Sequence, residues 1–512
     1  MNLYAPLLPA DLDRRFLDLS PLGATGGHGL TYREFDDRVR RFSAVLTGST
    51  DDGGFGLGVG DRLVVQVDKS ADALALILAS VRSGLVFVPL NTAYTPAEVR
   101  FFVDDAEASL IVCGSDRLDA LTEALGDITI STLDADGGGT IAEAADSTDP
   151  TTDDAVGREP LDPAAMLYTS GTTGRSKGAV LTHAGLLSNA EALRDTWQIT
   201  ADDSVCHTLP IFHVHGLFVA IFPLMLESAR VRFRPRFDVD DVLTQLGDST
   251  VLMGVPTHYV RLLADERFDA DRCASLRLFT SGSAPMTEQT HAEFTARTDR
   301  HIVERYGMTE TGILTSNRLG AGGQVAGTVG HALPGHEVRV VDDDGRPVEA
   351  GVSGAVEVTL PVPFGGYWRQ PDKTAETITT DGWFRTGDVG LLDETGRLTL
   401  DGRASDMIIS GGYNVYPKEI ELVLDAVAGV DESAVVGVPH PDFGEGVIAV
   451  VALEPGATAD TVRRALETAC ADELARFKHP KRYLFVDALP RNAMAKVQKK
   501  ELRVAHAEVF SS

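Results

Sequence analysis

The chain is read as an α/β protein: a large N-terminal domain of parallel α/β sheets plus a β subdomain over residues 1–402, then a small α+β C-terminal domain over residues 403–512. Three observations predict this. Strand and helix signals alternate in the first part, which implies parallel sheets covered by helices. Gly-rich turns separate short alternating runs between 327 and 400, which suggests antiparallel strands. After 403 a short set of strand and helix signals is long enough for an independent domain. A chain of 512 residues with 43% hydrophobic content also exceeds a single core.

The elements follow in order. Leu63–Val67 reads as a strand, Ala71–Val81 as a helix and Leu85–Val88 as a strand. Pro96–Asp104 suits a helix with proline in its first turn. Leu110–Cys113 is the next strand. Residues 133–160 are rich in Asp, Gly, Thr and Ala, and are expected to form a mobile surface linker. A second βαβ-like region runs from 179 to about 330, with strands at Val251–Met253 and Leu276–Phe279. Val338–Val341 and Gly354–Val358 belong to the β subdomain. The C-terminal part has helices at Lys418–Ala426 and Asp460–Leu474, and strands at Ser433–Val438, Val447–Leu453 and Tyr483–Val486. No internal repeat is found.

Composition excludes several classes. Lys and Arg total 46 against 75 Asp and Glu, a formal charge of −29. That opposes nucleic-acid or anionic-membrane binding by the surface as a whole. The four cysteines, Cys113, Cys206, Cys273 and Cys470, have neither metal spacing nor a disulfide framework. Buried thiols in a reducing compartment are expected. Met1-Asn-Leu-Tyr-Ala-Pro6 lacks the order of a signal peptide. The apolar stretch Leu217–Leu226 is too short to span a bilayer. A cytoplasmic protein, monomer or weak homodimer, acting on small molecules is the expectation.

The chemistry starts at Tyr168-Thr-Ser-Gly-Thr-Thr-Gly-Arg-Ser-Lys-Gly178. Hydroxyls of Thr169, Ser170, Thr172 and Thr173, glycines 171 and 174, and the Lys177 ammonium make a cradle for a polyphosphate. Strand-like runs flank it, so it reads as a loop between strands. It lacks the Walker spacing. Four further clusters follow, the first three likewise polar and glycine-containing. They are Tyr306-Gly-Met-Thr-Glu310, Asp381-Gly-Trp-Phe-Arg-Thr-Gly-Asp388, Gly402-Arg403 with Asp406-Met-Ile-Ile-Ser-Gly-Gly-Tyr-Asn414, and the segment Pro490-Arg-Asn-Ala-Met-Ala-Lys496, which ends in a lysine. Each alone reads equally as a surface turn or a solvated charge; the ordered set does not.

Together these motifs resemble the adenylate-forming superfamily of acyl-CoA synthetases, adenylation domains and luciferases, from about residue 30 to 502. The resemblance implies ATP, Mg²⁺ and coenzyme A. It also implies a mobile C-terminal domain and two half-reactions: acyl-adenylate formation with release of pyrophosphate, then displacement of AMP by a thiol. The 169–178 loop with Lys177 would hold the β- and γ-phosphates. Glu310 would bind Mg²⁺, and Thr309 and Ser170 would contact the α-phosphate region. Gly282, Ser283, Ala284, Tyr306 and Gly307 resemble adenine-pocket positions. Asp388 would accept both ribose hydroxyls, with Arg403 beside it. Lys496 would bridge the attacking carboxylate and the α-phosphate; an ordinary basic tail with Lys499, Lys500 and Arg503 is its alternative. Gly411 and Gly412 would line the pantetheine path. Two positions depart from the family: Ala495 stands where glycine is usual, and Ser405 where the hinge carries Asp or Lys.

His213-Val-His-Gly-Leu217 matches the segment in which the first His borders the acid. The wording of Val251–Thr257, Thr280–Pro285, Glu304–Glu310, Asn414–Ile420 and Gly437–Glu445 is similar to malonyl-CoA synthetases. That likeness implies malonate, and methylmalonate, as the acid. Val214 and Met308 would flank its α-carbon, with Ser281 nearby. Arg236 and Arg305 would pair with the second carboxylate; structural ion pairs are their alternative. A medium-chain fatty acyl- or aryl-CoA ligase shares every ATP motif and stays open. So does an adenylation enzyme that loads a carrier protein, although the acidic surface suits an acidic carrier poorly.

Overall fold

The computed structural model describes the chain apart from residues 20–28, 170–175, 321, 404–405, 411–412, 416, 441–442, 475, 493–495 and 511–512. Among the described residues the strands form four sheets, of nine, six, four and five strands. The six-stranded sheet is parallel from Ile130–Thr132 across Leu110–Cys113, Arg62–Gln66 and Val86–Pro89 to Pro163–Thr169. Its edge is the antiparallel pair Pro163–Thr169 with Lys177–Thr182, in which Thr169 faces Lys177. Residues 170–175 lie in the connection between these two strands.

Local chemistry sets the helices of this sheet. Ser70 accepts the Ala73 N–H and starts the helix Ala71–Arg82, in which every residue from Ala73 onward is buried. Each buried Leu, Ile or Val contributes about 1.5–3 kcal/mol by leaving water. Thr95 and Glu98 form a reciprocal capping box before Pro96–Ala106, with Pro96 in the first turn. The mobile linker expected over 133–160 is corrected. Residues Thr140–Asp146 form a helix that buries Ile141, Ala142 and Ala145. The Arg38 guanidinium pairs with Asp146 at 2.5 Å, and Arg41 donates to the Thr148 carbonyl at 2.6 Å. A few apolar side chains and arginines on a facing helix suffice to seat this polar stretch.

The nine-stranded sheet has a parallel centre: Arg230–Phe233, Ser204–His207, Val251–Gly254, Leu278–Ser281 and Ile302–Met308. The strand expected from Leu276 begins two residues later, because the Leu276 N–H closes a turn onto the Cys273 carbonyl. Tyr259 is fully buried and donates its hydroxyl proton to the Thr280 carbonyl at 2.7 Å. Carboxyl ends of parallel strands form a crevice for ligands. Here they carry His207, Gly254, Ser281 and the run Arg305–Met308.

The β subdomain is antiparallel: Glu337–Val341, Gly354–Thr359, Phe384–Leu392 and Leu398–Arg403. The C-terminal sheet packs the helices Pro417–Asp425 and Ala459–Glu473 around Val430–His440, Gly444–Leu453 and Arg482–Val486. All four cysteines are buried free thiols. Among the described residues no helix is long and apolar enough to cross a membrane.

Candidate active site

One end of the site is built on a cross-strand pair. Asp388 on Phe384–Leu392 stands opposite Arg403 on Leu398–Arg403. The Arg403 Nε lies 3.2 Å from Asp388 Oδ1, and the Tyr306 hydroxyl donates to Asp388 Oδ2. Asp388 is buried. Burial pushes its pKa up, and Arg403, Tyr306 and Lys496 oppose the shift. A carboxylate held this way keeps lone pairs for a diol while its charge is balanced.

Glu310 is buried in the turn after Ile302–Met308 and accepts the Tyr367 hydroxyl proton at Oε1, 2.9 Å away. The Lys177 ammonium stands 5.1 Å from the centre of the same Tyr367 ring. Tyr367 is held there by its bridge to Ala179 and by the bond from Trp368 N–H to the Gly178 carbonyl, 2.7 Å. Sequence reasoning missed Tyr367; the run Gly365-Gly-Tyr-Trp368 pairs glycines with a hydroxyl-bearing side chain, as the other motifs do, and was the available signal. No donor among the described residues bonds Glu310 Oε2. A hard oxygen in that state fits one Mg²⁺ position. Among the described residues no cluster of three or more His, Cys, Asp or Glu is arranged to hold a metal.

Lys496 arrives from the C-terminal sheet. Its N–H donates to Asn492 Oδ1 at 3.0 Å, and its carbonyl accepts the Asn492 N–H at 2.9 Å. The neighbouring cations are engaged elsewhere: Lys499 with Glu421 at 2.6 Å and Arg503 with Asp406 at 3.2 Å. The Lys496 side chain is partly buried, and burial holds its pKa below the ordinary lysine value. Arg403 and Arg305 add to that shift, while Asp388 and Glu310 oppose it.

A second part of the candidate site gathers buried nitrogen groups. Arg305 is 5% exposed, and neither its Nε nor its Nη2 has a hydrogen-bond partner. Burial pushes its pKa down to about 10. Gly282 lies against it, and a Cβ there would come within 2.6 Å of the guanidinium carbon. Only glycine leaves the guanidinium room. Burial, Lys496 and Arg305 push His213 down to about 3, so it is neutral. Its Nδ1 accepts the His215 N–H at 3.3 Å, which leaves the proton on Nε2. His215 and His258 are also held neutral by burial. Ser281 Oγ, His215 Nε2 and His258 Nδ1 are buried without partners. Ser283 adopts φ 70°, and its hydroxyl lies 3.3 Å from His215 Nδ1. A non-glycine residue there stores strain of about 1–3 kcal/mol.

The other predicted positions are placed as follows. Val214 is buried; Thr169, Gly307, Met308 and Thr309 are half-buried; Ala284 is exposed. Arg236 is exposed and forms no ion pair among the described residues, whereas Arg234 is buried against Asp241 at 2.7 Å. Arg236 is therefore not among the buried groups around Arg305. Ser170, Gly171, Thr172, Thr173, Gly174, Ser405, Gly411, Gly412 and Ala495 lie outside the described residues. Beside the site, an open cleft runs between Val214, Phe218, Asn189, Glu310 and Phe364. His258, stacked on Phe237 at 4.0 Å, was also missed by the sequence.

Comparison with known proteins agrees with this geometry. Residues 12–368 match the AMP-binding enzyme family, and 419–496 its C-terminal domain. The chain is 36% identical over 491 residues to the malonate–CoA ligase of Arabidopsis thaliana, covering 88% of this chain and 79% of that one. It is 36% identical over 488 residues to the indoleacetate–CoA ligase of Aromatoleum aromaticum, covering 93% and 92%. The crystal structure of ATP-bound MatB from Rhodopseudomonas palustris superposes with a TM-score of 0.94 at 44% identity, over the full length of both chains. The chain belongs to the AMP-binding enzyme family, as an adenylate-forming acid–CoA ligase.

Proposed function

We propose that the acid is malonate, with methylmalonate as a second substrate. The observation that carries this reading is Arg305, a buried cation with orphaned N–H donors and no carboxylate partner among the described residues. A buried unpaired charge is costly, and a second substrate carboxylate would satisfy it in a bidentate way. The likeness to the Arabidopsis malonate–CoA ligase and to MatB supports the same reading. Ser281 and the neutral histidines supply further hydrogen-bonding groups without adding charge. Val214 and Met308 would border the α-carbon.

In the first half-reaction a substrate carboxylate oxygen bonds the α-phosphorus, and the bond to the β-phosphate breaks. Lys496 would neutralise the charge that gathers between the two anions. Asp388 and Arg403 would hold the ribose, and Lys177 with the 170–175 segment the outgoing pyrophosphate. Glu310 would hold Mg²⁺, which supplies charge neutralisation on the phosphates. In the second half-reaction the CoA sulfur bonds the acyl carbon, AMP leaves and the thiol proton goes to solvent. A domain boundary at residues 402–403 would let Lys496 withdraw and Gly411 and Gly412 approach.

A second reading rests on the cleft beside Val214 and Phe218. Its walls suit an aryl or alkyl tail, and the indoleacetate–CoA ligase relative has similar identity. One experiment decides: CoA-dependent AMP formation measured side by side with malonate, methylmalonate, acetate, octanoate, benzoate and indoleacetate. Malonate is expected to give the highest kcat/KM. A preference for octanoate, benzoate or indoleacetate would replace the malonate reading with the second one.

A further inference from the structure

A buried lysine outside the site just described is unaccounted for. Lys69 follows the strand Arg62–Gln66 of the six-stranded sheet, and His207 ends Ser204–His207 of the nine-stranded sheet. The Lys69 Nζ lies 2.7 Å from His207 Nδ1 and donates to the His207 carbonyl at 2.9 Å. It also stands 4.4 Å from the centre of the Phe233 ring, on which His207 stacks at 5.4 Å. No carboxylate pairs with Lys69 among the described residues. On its other side His207 Nε2 is 2.6 Å from the Gly216 carbonyl.

These contacts fix the tautomer of His207. A carbonyl only accepts, so Nε2 carries the proton. With Nε2 protonated, the neutral ring offers its Nδ1 lone pair to the Lys69 amine, which donates to it. Burial disfavours a doubly protonated ring, and any charge on Lys69 adds to that penalty. The held carbonyl belongs to the turn of His213. Gly216 itself lies in the π-helical segment His215–Val219, which begins two residues after His213. The Ala220 N–H bonds the His215 carbonyl and the Ile221 N–H bonds the Leu217 carbonyl, so Gly216 between them receives the His207 proton. Wide turns of this kind recur at functional sites. Gly216 is also wedged: a Cβ there would come within 2.0 Å of the Pro210 carbonyl oxygen. The turn therefore has one register, held by Pro210 beneath and His207 from the side.

We propose that Lys69 and His207 are positioning residues for the acid-binding turn His213–Gly216, acting through the Gly216 carbonyl. The proposal rests on the reading of His213 as a border of the acid site. Lys69 fixes the ring of His207, His207 fixes Gly216, and the turn then presents His213 and His215 beside Arg305. The relay also ties the acid side to the joint between the two large sheets.

The test uses the full-length chain, with the acid that gives the highest kcat/KM in the panel above. Lys69→Met, His207→Leu, His207→Gln and His213→Ala are compared for Tm, for KM of the acid and of ATP, and for kcat. Lys69→Met and His207→Leu are expected to lower kcat/KM for the acid at least tenfold while KM for ATP stays within twofold. His207→Gln keeps a donor for Gly216 and an acceptor for Lys69, and should recover most of the loss. A fall in Tm with acid and ATP constants moving in parallel overturns the proposal, as does a His207→Gln variant no better than His207→Leu. If His213→Ala impairs acid use and the Lys69 and His207 variants do not, the relay is wrong and the site reading stands. If none of them impairs it, both are wrong.

Discussion

Arg305 concentrates the question of specificity in one side chain. Its guanidinium is buried, unpaired and seated in the space that Gly282 leaves. Removing a charge-assisted partner from a desolvated substrate carboxylate costs about 2–5 kcal/mol. Arg305→Met is therefore expected to lower kcat/KM for malonate by roughly 30-fold or more, with ATP affinity little changed. Butyrate should gain relative to malonate. Unchanged malonate kinetics would mean that Arg305 does not read the distal carboxylate. A second residue-scale prediction concerns pH. His213 is held neutral to about pH 3, so it contributes no ionisation to kcat/KM between about pH 5.5 and 8. Lys496 titrates below the ordinary lysine value, because burial favours its neutral form. If Lys496 acts in adenylation as the proposal has it, the charged form is the one used, and the rate falls as pH rises through that lowered pKa. Lys496→Arg should move this alkaline limb upward, since guanidinium keeps its proton. An alkaline limb at the same pH in Lys496→Arg would assign it to another group.

At the scale of elements, the parts that the sequence made legible are those with strong periodicity or capping chemistry. The helix Ala71–Arg82 and the strand Leu110–Cys113 follow from continuous apolar runs, and Pro96–Ala106 from the proline in its first turn. The helix Thr140–Asp146 was not legible, since its burial depends on partners outside its own segment. The same logic separates the site residues. Asp388, Glu310 and Lys496 sit in motifs whose order carries meaning. Tyr367, His258 and Lys69 are placed by tertiary contacts that no local pattern records. Arg234 and Arg236 differ only by which one the strand end turns inward. One turn yields a prediction of its own. Asn492 brackets Lys496 with two hydrogen bonds, one to its N–H and one from its own N–H. A net hydrogen bond is worth about 0.5–1.5 kcal/mol. Asn492→Ala removes the side-chain one and should slow adenylation roughly 3- to 10-fold, measured by malonate-dependent ATP–pyrophosphate exchange. Wild-type exchange would show that the turn holds Lys496 without it.

At the scale of the whole molecule, among the described residues the C-terminal domain brings Lys496 to a site whose other described groups lie on the other three sheets. Lys496 senses Asp388, Glu310 and Arg305 on the N-terminal side and Arg403 at the boundary. Its basic neighbours instead hold the C-terminal domain together, through Lys499 to Glu421 and Arg503 to Asp406. Removing Lys496 should therefore leave the domain folded. If the domain alternates between two poses, only the pose for adenylation uses this lysine. Lys496→Ala is then expected to reduce malonyl-adenylate formation at least a hundredfold, about 2.7 kcal/mol or more of transition-state stabilisation. Thioester formation from supplied malonyl-AMP and CoA should stay within a few-fold of wild type, because the acyl carbon has by then been activated. The two rates are separable by single-turnover measurements on the same preparation. Equal loss of both would identify Lys496 as structural, or the two domains as fixed relative to one another throughout the reaction.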